Sequence, residues 1–112
     1  DILAALRASG LEWASEQLAV MATKSPQTMK VALRQLRIGR NLGSFAENMT
    51  MEYRIGARVV QRHDFIEGVR AVIVDKDQAP RWDPPTPEGV TEAMLDAIFA
   101  PLPSPEEWSP LT

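Results

Sequence analysis

The residues that could carry chemistry are concentrated between His63 and Trp82. This segment contains the only histidine of the chain together with four carboxylates and Lys76. A single histidine in a chain without cysteine cannot form a metal site unless several carboxylates are suitably spaced, and none are. No serine lies in a nucleophile-elbow motif, and no glycine run resembles a phosphate-binding loop. We therefore predict no metal site and no catalytic residue here, and we expect His63 to have a structural role or to lie on the surface.

The same segment has the pattern of a helix start. Asp64 occupies a good N-cap position and Glu67 follows three residues later, which predicts a reciprocal capping box. Apolar residues at spacings of three and four then predict one apolar face, formed by Phe65, Val69, Val72 and Ile73. Beyond it, Asp75 and Asp77 flank Lys76, so we expect this lysine either to pair with them or to bind an anion.

Helices are also predicted for the chain before this segment. Five helices are expected before residue 76, and they start near Asp1, Leu11, Ser25, Ser44 and Asp64. Ser25 is followed by Pro26 at the first helical position, and Ser44 is followed by Glu47 in a second capping box. The inward positions predicted by periodicity are Met29, Leu33 and Leu36 in the third helix, and Phe45, Met49, Tyr53, Gly56 and Val60 in the fourth.

The character of the chain changes after residue 76. Eight of its nine prolines lie within residues 80–112, which favours extended backbone. Thr91 caps one short predicted helix, from Glu92 through Phe99. We therefore predict a helical region at 1–76 and a Pro-rich tail at 77–112 that wraps over a larger body. The predicted class of the stretch is all-α, with five to six helices plus this extended tail.

Charge is unevenly distributed along the chain. Residues 24–62 carry a net charge of +6, whereas residues 63–112 carry −7. The basic region is compatible with an anionic partner, or with basic helices that lie beside acidic ones. Arg54, Arg58 and Arg62 form one row at spacings of four, so we expect acidic groups to face them. Aromatic residues are not interleaved with these cations, and no apolar run nears the roughly 18 residues of a membrane span. We predict neither a nucleic-acid nor a membrane partner.

Several short segments are similar to those of a known enzyme family. They are Met49–Arg54, His63–Phe65, Glu67–Ala71, Asp75–Gln78 and Pro80–Trp82. Together they resemble the C-terminal part of the crotonase (enoyl-CoA hydratase/isomerase) superfamily, and in particular its 3-hydroxyisobutyryl-CoA hydrolase branch. The resemblance implies the C-terminal helical region of a crotonase-like α/β superhelix fold. The chain begins at Asp1 without a methionine, so we expect it to be a piece of a longer polypeptide.

The resemblance also implies a function for the parent protein. This function is hydrolysis of 3-hydroxyisobutyryl-CoA-like thioesters in valine breakdown, with coenzyme A as part of the substrate and no other cofactor. The catalytic groups would lie in an upstream core that this helical region covers, and the resemblance is compatible with a homo-oligomer, either a trimer or a hexamer. In hydratase members, a phenylalanine and a lysine after the Glu-Gly pair contact the CoA nucleotide. Val72 replaces that phenylalanine, and Lys76, one residue later than in those members, is the candidate CoA contact.

Two alternatives remain open from the sequence. One is a hydratase or isomerase of the same superfamily, and the other is a non-enzymatic helical interaction module that folds as a compact monomer. The expected location is the cytoplasm for a bacterial protein and the mitochondrion for a eukaryotic one.

Overall fold

The computed structural model describes residues 1–109 as five α-helices followed by an extended tail that contains a sixth. The helices are α1 (Ile2–Ser9), α2 (Glu12–Met21), α3 (Pro26–Gly39), α4 (Phe45–Val59), α5 (His63–Val69) and α6 (Glu92–Phe99). A π-helical turn, Arg70–Val74, prolongs α5, and the 3-10 turns are Pro87–Gly89 and Ser104–Glu106. Residues 1–109 contain no strand, so the predicted all-α class is confirmed. The last three residues of the predicted tail, 110–112, lie outside the described part.

Side-chain caps fix most of the helix starts. The caps predicted at Asp1, Ser25, Ser44 and Thr91 are confirmed, because each of these side chains accepts a hydrogen bond from a first-turn amide. Glu47 does not complete the capping box, because its carboxylate accepts from the amide of Gly43 at 2.7 Å. Gly10 ends α1 in the left-handed region (φ 69°), which glycine adopts without strain.

The predicted cap at Asp64 is wrong. The N-cap position of α5 is Arg62, two residues before the predicted one; the helix begins at His63, and the Arg62 side chain makes no capping bond. Asp64 lies in the first turn, where it is buried and binds Ser25 and the amide of Asp83 instead of its own helix. Because the helix begins before Asp64, its carboxylate accepts hydrogen bonds from these other segments and from no backbone amide of α5.

The core lies where α6 crosses α4. Its buried side chains are Val31, Met51, Ile55, Val90, Leu95 and Ile98. On α4, therefore, the buried face is that of Met51 and Ile55. The face predicted from periodicity is exposed in the described chain, since Phe45 is 78% and Tyr53 45% exposed. The inward position predicted for Leu36 on α3 is likewise wrong, because this side chain is 72% exposed.

Basic side chains of α3 and α4 meet acidic groups from the tail, as expected. Arg34 pairs with Glu92 and with Asp96, both on α6. Arg54 forms a bidentate pair with Glu107, with distances of 2.6 Å from Nη2 to Oε2 and 2.9 Å from Nε to Oε1. These contacts confirm that the basic middle lies beside the acidic tail.

The other two arginines of the row find neutral acceptors. The Nη1 atom of Arg58 donates to carbonyl oxygens at the C-terminal end of α6, including that of Ala100 at 2.7 Å. Arg62 donates from Nε to the side-chain oxygen of Gln27 at 2.7 Å. A cation at a helix C-terminus satisfies unpaired carbonyls and interacts favourably with the helix dipole, so Arg58 caps α6.

Much of the apolar surface of this chain is uncovered. Fourteen large hydrophobic residues within 1–109 are exposed, and Val72, Ile73 and Val74 form a continuous run of them. The radius of gyration is 16.2 Å, whereas a self-contained domain of this length has about 13 Å. The described residues therefore do not enclose a core of the usual proportion. No helix among them combines the length and hydropathy needed to cross a membrane.

Candidate functional site

The candidate site is the loop that follows α5, residues 75–79, together with Arg70 on the π-helical turn. The amide of Asp75 donates to the carbonyl of Arg70, five residues earlier, at 2.8 Å. This spacing is that of a π-helical turn. The amide of Gln78 then folds back onto the carbonyl of Ala71 at 3.0 Å. Lys76 and Gln78 both have φ of 55°, a conformation uncommon for non-glycine residues that surrounding contacts must maintain.

Arg70 supplies those contacts. Its guanidinium forms a bidentate pair with Glu67, at 2.8 Å from Nε and 2.7 Å from Nη2. Its remaining nitrogen, Nη1, donates to both Asp75 and Asp77, each at 2.8 Å. The planar fork of an arginine is suited to this arrangement, because its five donors have fixed directions. Three carboxylates thus converge on one cation.

Backbone amides complete the cluster. Glu67 Oε2 accepts from the amide of Arg81 at 2.7 Å, which attaches the start of the tail to α5. Asp77 Oδ1 accepts from the amide of Ala79 at 2.9 Å. The Arg70 guanidinium and the Arg81 amide lower the pKa of Glu67 to about 2, and Arg70 and the Ala79 amide also lower the pKa of Asp77. The three acids in turn raise the pKa of Arg70.

Lys76 is exposed at the outer edge of this loop. Within residues 1–109 its ammonium group belongs to no ion pair. The prediction that Lys76 pairs with Asp75 and Asp77 is therefore wrong, because Arg70 binds both acids. Sequence reasoning missed Arg70, although its position three residues after Glu67 is a recognisable ion-pair spacing. The reading of Lys76 as a ligand contact stays a prediction.

His63 contacts the buried carboxylate of Asp64. The distance from His63 Nδ1 to Asp64 Oδ1 is 2.9 Å, and this hydrogen bond raises the pKa of the imidazole. The hydroxyl of Ser25 donates to the other oxygen of Asp64 and not to His63. The histidine does not lie between the serine and the acid, so the three side chains do not form a nucleophilic triad. They join the starts of α3 and α5.

Two further observations concern metals and cavities. Within residues 1–109, no group of three or more histidine, cysteine or acidic side chains is arranged to hold a metal ion.

A groove of about 480 Å³ separates α1 from α3. Apolar side chains such as Leu3, Met29 and Leu33 line it, and it contains neither Lys76 nor His63. The groove is thus separate from the 75–79 loop.

The chain is similar to named proteins. The family model described as enoyl-CoA hydratase/isomerase matches residues 1–99. Curated relatives include the mitochondrial 3-hydroxyisobutyryl-CoA hydrolases of Homo sapiens and Gallus gallus, both 43% identical over 102 residues. Each alignment covers 91% of this chain and 26% of the relative, so the chain spans about a quarter of the length of these enzymes.

Two solved structures have the same arrangement of helices. An enoyl-CoA hydratase from Rhodobacter sphaeroides 2.4.1 is 35% identical with a TM-score of 0.86, over 97% of this chain and 32% of that one. A carnitinyl-CoA dehydratase from Mycobacterium thermoresistibile is 38% identical with a TM-score of 0.82, over 89% of this chain and 28% of that one. The expected relation to the crotonase fold is confirmed, and the chain belongs to the enoyl-CoA hydratase/isomerase family.

Proposed function

We propose that this chain is the C-terminal helical region of a CoA-thioester hydrolase that acts on 3-hydroxyisobutyryl-CoA or a similar short 3-hydroxyacyl thioester. The observation that carries the proposal is its identity of 40–44% over 101–102 residues with vertebrate proteins named 3-hydroxyisobutyryl-CoA hydrolase. The reaction places the enzyme in valine breakdown. Its catalytic carboxylates and the amides that stabilise the thioester oxyanion belong to the rest of the parent protein.

The uncovered apolar surface supports a covering role for these helices. A stable free domain rarely exposes side chains such as Phe45 on α4 and the run Val72–Val74 after α5. The large radius of gyration points the same way. Both observations favour a region that packs on an upstream catalytic core over the alternative of a self-contained interaction module.

Lys76 is our candidate for contact with the substrate. An exposed ammonium group attracts phosphate, and the CoA portion of the substrate carries several phosphate charges. Arg70 joins the two acids of the loop to Glu67 of α5, so the backbone that carries Lys76 is held in place. This contact would add affinity for the CoA portion and would take no part in bond cleavage.

A hydratase reaction is the alternative within the family. The two solved relatives are titled as a hydratase and a dehydratase, and they are 35% and 38% identical to this chain. The curated hydrolases are 36–44% identical, and most of them exceed both solved relatives in identity, which favours the hydrolase proposal.

The deciding experiment uses the full-length protein. Free thiol released from 3-hydroxyisobutyryl-CoA is compared with the loss of enoyl-thioester absorbance from the matching enoyl-CoA. The proposal predicts thiol release and little hydration. Hydration of the enoyl-CoA without thiol release would replace the hydrolase with the hydratase. The absence of both reactions would favour the interaction module.

Assembly and location follow from the same proposal. We propose that the parent protein is a homo-oligomer, a trimer or hexamer, and sedimentation of the full-length protein tests this. Its location is the cytoplasm in a bacterium and the mitochondrion in a eukaryote.

A further inference from the structure

We infer that Arg70 is a positioning residue that keeps Lys76 available for an anionic ligand, by binding the two carboxylates on either side of it. The inference rests on the proposed function for the identity of the ligand, which is a phosphate of the CoA thioester. It concerns Arg70, whose side chain does not itself reach the ligand in this proposal.

The competition between cations is set by the local sequence. Asp75 and Asp77 are the immediate neighbours of Lys76, and without another partner they would be its nearest counter-ions. Arg70 Nη1 holds both carboxylates at 2.8 Å, and Asp77 is fixed further by the amide of Ala79. An arginine fork binds several carboxylate oxygens at once, which a lysine ammonium cannot match in geometry. The acids therefore stay with Arg70.

The backbone of the loop adds to this arrangement. Lys76 and Gln78 have positive φ, whereas the two acids beside and between them do not. This alternation accompanies the return of the chain onto the carbonyl of Ala71. Because positive φ is unfavourable for a lysine, the arrangement needs the contacts of Arg70 to persist. Arg70 thereby fixes both the place of Lys76 and the charge around it.

Charge balance shows what Arg70 contributes electrostatically. Glu67, Asp75 and Asp77 carry three negative charges, and Arg70 neutralises one of them. Without Arg70 the net charge of the cluster changes from −2 to −3. The uncompensated carboxylates then repel a phosphate and attract the ammonium group of Lys76. Loss of Arg70 is thus expected to weaken ligand binding twice, through capture of Lys76 and through repulsion.

The test measures thiol release by the full-length enzyme carrying Arg70→Met. We expect KM for the CoA thioester to rise roughly two- to five-fold, the range of a partly exposed ion contact, with kcat unchanged. The corresponding pantetheine thioester lacks the CoA phosphates, and its KM is expected to stay at the wild-type value. Arg40→Gln removes a distant exposed cation and serves as the charge-matched control.

Removal of the competing acids separates positioning from a merely structural role. In the Arg70→Met background, Asp75→Asn with Asp77→Asn is expected to return KM for the CoA thioester towards the wild-type value, because nothing then captures Lys76. Lys76→Gln also raises KM, and its addition to Arg70→Met has less than the additive effect, because a captured lysine no longer contributes to binding. Circular dichroism verifies that each variant folds, and Arg70→Lys, which retains the charge but lacks the fork, replaces any Met variant that does not.

Three results would overturn the inference: an unchanged KM in the Arg70 variant, an equal rise with the pantetheine thioester, or no recovery when the acids are removed. Failure of the proposed function is distinct, because it is seen as a lack of thiol release by the wild-type enzyme.

Discussion

Replacement of Asp64 tests how the segments around the candidate site are joined. Its side chain is 3% exposed, and its carboxylate accepts hydrogen bonds from three groups. They are the hydroxyl of Ser25, Nδ1 of His63 at 2.9 Å and the amide of Asp83 at 2.8 Å. The three partners belong to the start of α3, the start of α5 and the tail. Asp64→Ala in the full-length protein should therefore loosen all three segments together.

The size of the effect follows from what the change leaves behind. In the alanine variant the Ser25 hydroxyl and the Asp83 amide lose their acceptor, at about 1–3 kcal/mol each. The buried carboxylate itself had a desolvation cost, which its removal recovers in part. We expect a loss of about 3–5 kcal/mol in the free energy of unfolding, the range for breaking a buried charged contact. Asp64→Asn retains one accepting oxygen and most of the volume, and it should cost about 2 kcal/mol.

The assay is urea unfolding followed by tryptophan fluorescence. Trp82 is a local probe, since its Nε1 donates to the carbonyl of Thr23 at 3.0 Å and its ring lies against Gly68. Glu16→Ala, at an exposed position of α2, is the control and is expected to change stability by less than about 0.5 kcal/mol.

A second measurement follows the same contact by pH. Asp64 raises the pKa of His63, so this pair adds stability below the ordinary histidine pKa and loses it as pH rises through the raised value. Asp64→Asn should remove that pH dependence, and an NMR titration of His63 would follow it directly. The reasoning is refuted if Asp64→Ala costs less than about 1 kcal/mol, or if the His63 pKa is the same in both proteins.

Three further predictions concern other parts of the fold. Ile98→Ala, at a position 1% exposed, should lower the free energy of unfolding by about 2–5 kcal/mol in urea. Gly10→Ala places a side chain at φ 69° and should cost about 1 kcal/mol in the same assay. Arg54 and the Leu102 amide lower the pKa of Glu107 to about 2. Glu107 therefore adds stability above its ordinary pKa of 4.5 that is lost as pH falls towards 2. Glu107→Gln should be less stable than the wild type at neutral pH and should flatten acid unfolding in that window.

The helices were predictable because their start signals are local. Ser25 followed by Pro26, and Thr91 before the last helix, act within a single turn of backbone, so the sequence contains all that is needed. The predicted N-cap of α5 is two residues too late for the opposite reason. Asp64 has the chemistry of a cap, but Ser25 and Asp83, which are distant in sequence, take its two oxygens.

The candidate site was predictable only in part. Sequence motifs single out the segment from His63 to Trp82 and, within it, Lys76. They do not reveal that Arg70 binds the two acids beside this lysine. The pairing of Asp75 and Asp77 with Arg70 requires the chain to turn back at positive φ after a π turn. Neither feature has a glycine or proline signal at those positions, so pattern reasoning assigned the acids to their sequence neighbour.

The apolar face predicted for α4 is not the face that packs against α6. At about 100° per residue, Phe45, Met49, Tyr53 and Val60 lie within roughly 80° of one another, and Met51 and Ile55 lie on the opposite side. The helix thus has two apolar faces, and α6 covers only the second. Periodicity identifies the stripe that the described residues leave largely exposed. A helix that is apolar on two sides is normally buried on both, so the exposed stripe is the face on which the rest of the parent protein is expected to pack. The exposed stripe therefore accounts both for the face of α4 that was predicted to be buried and is not, and for our proposal that these helices cover a core.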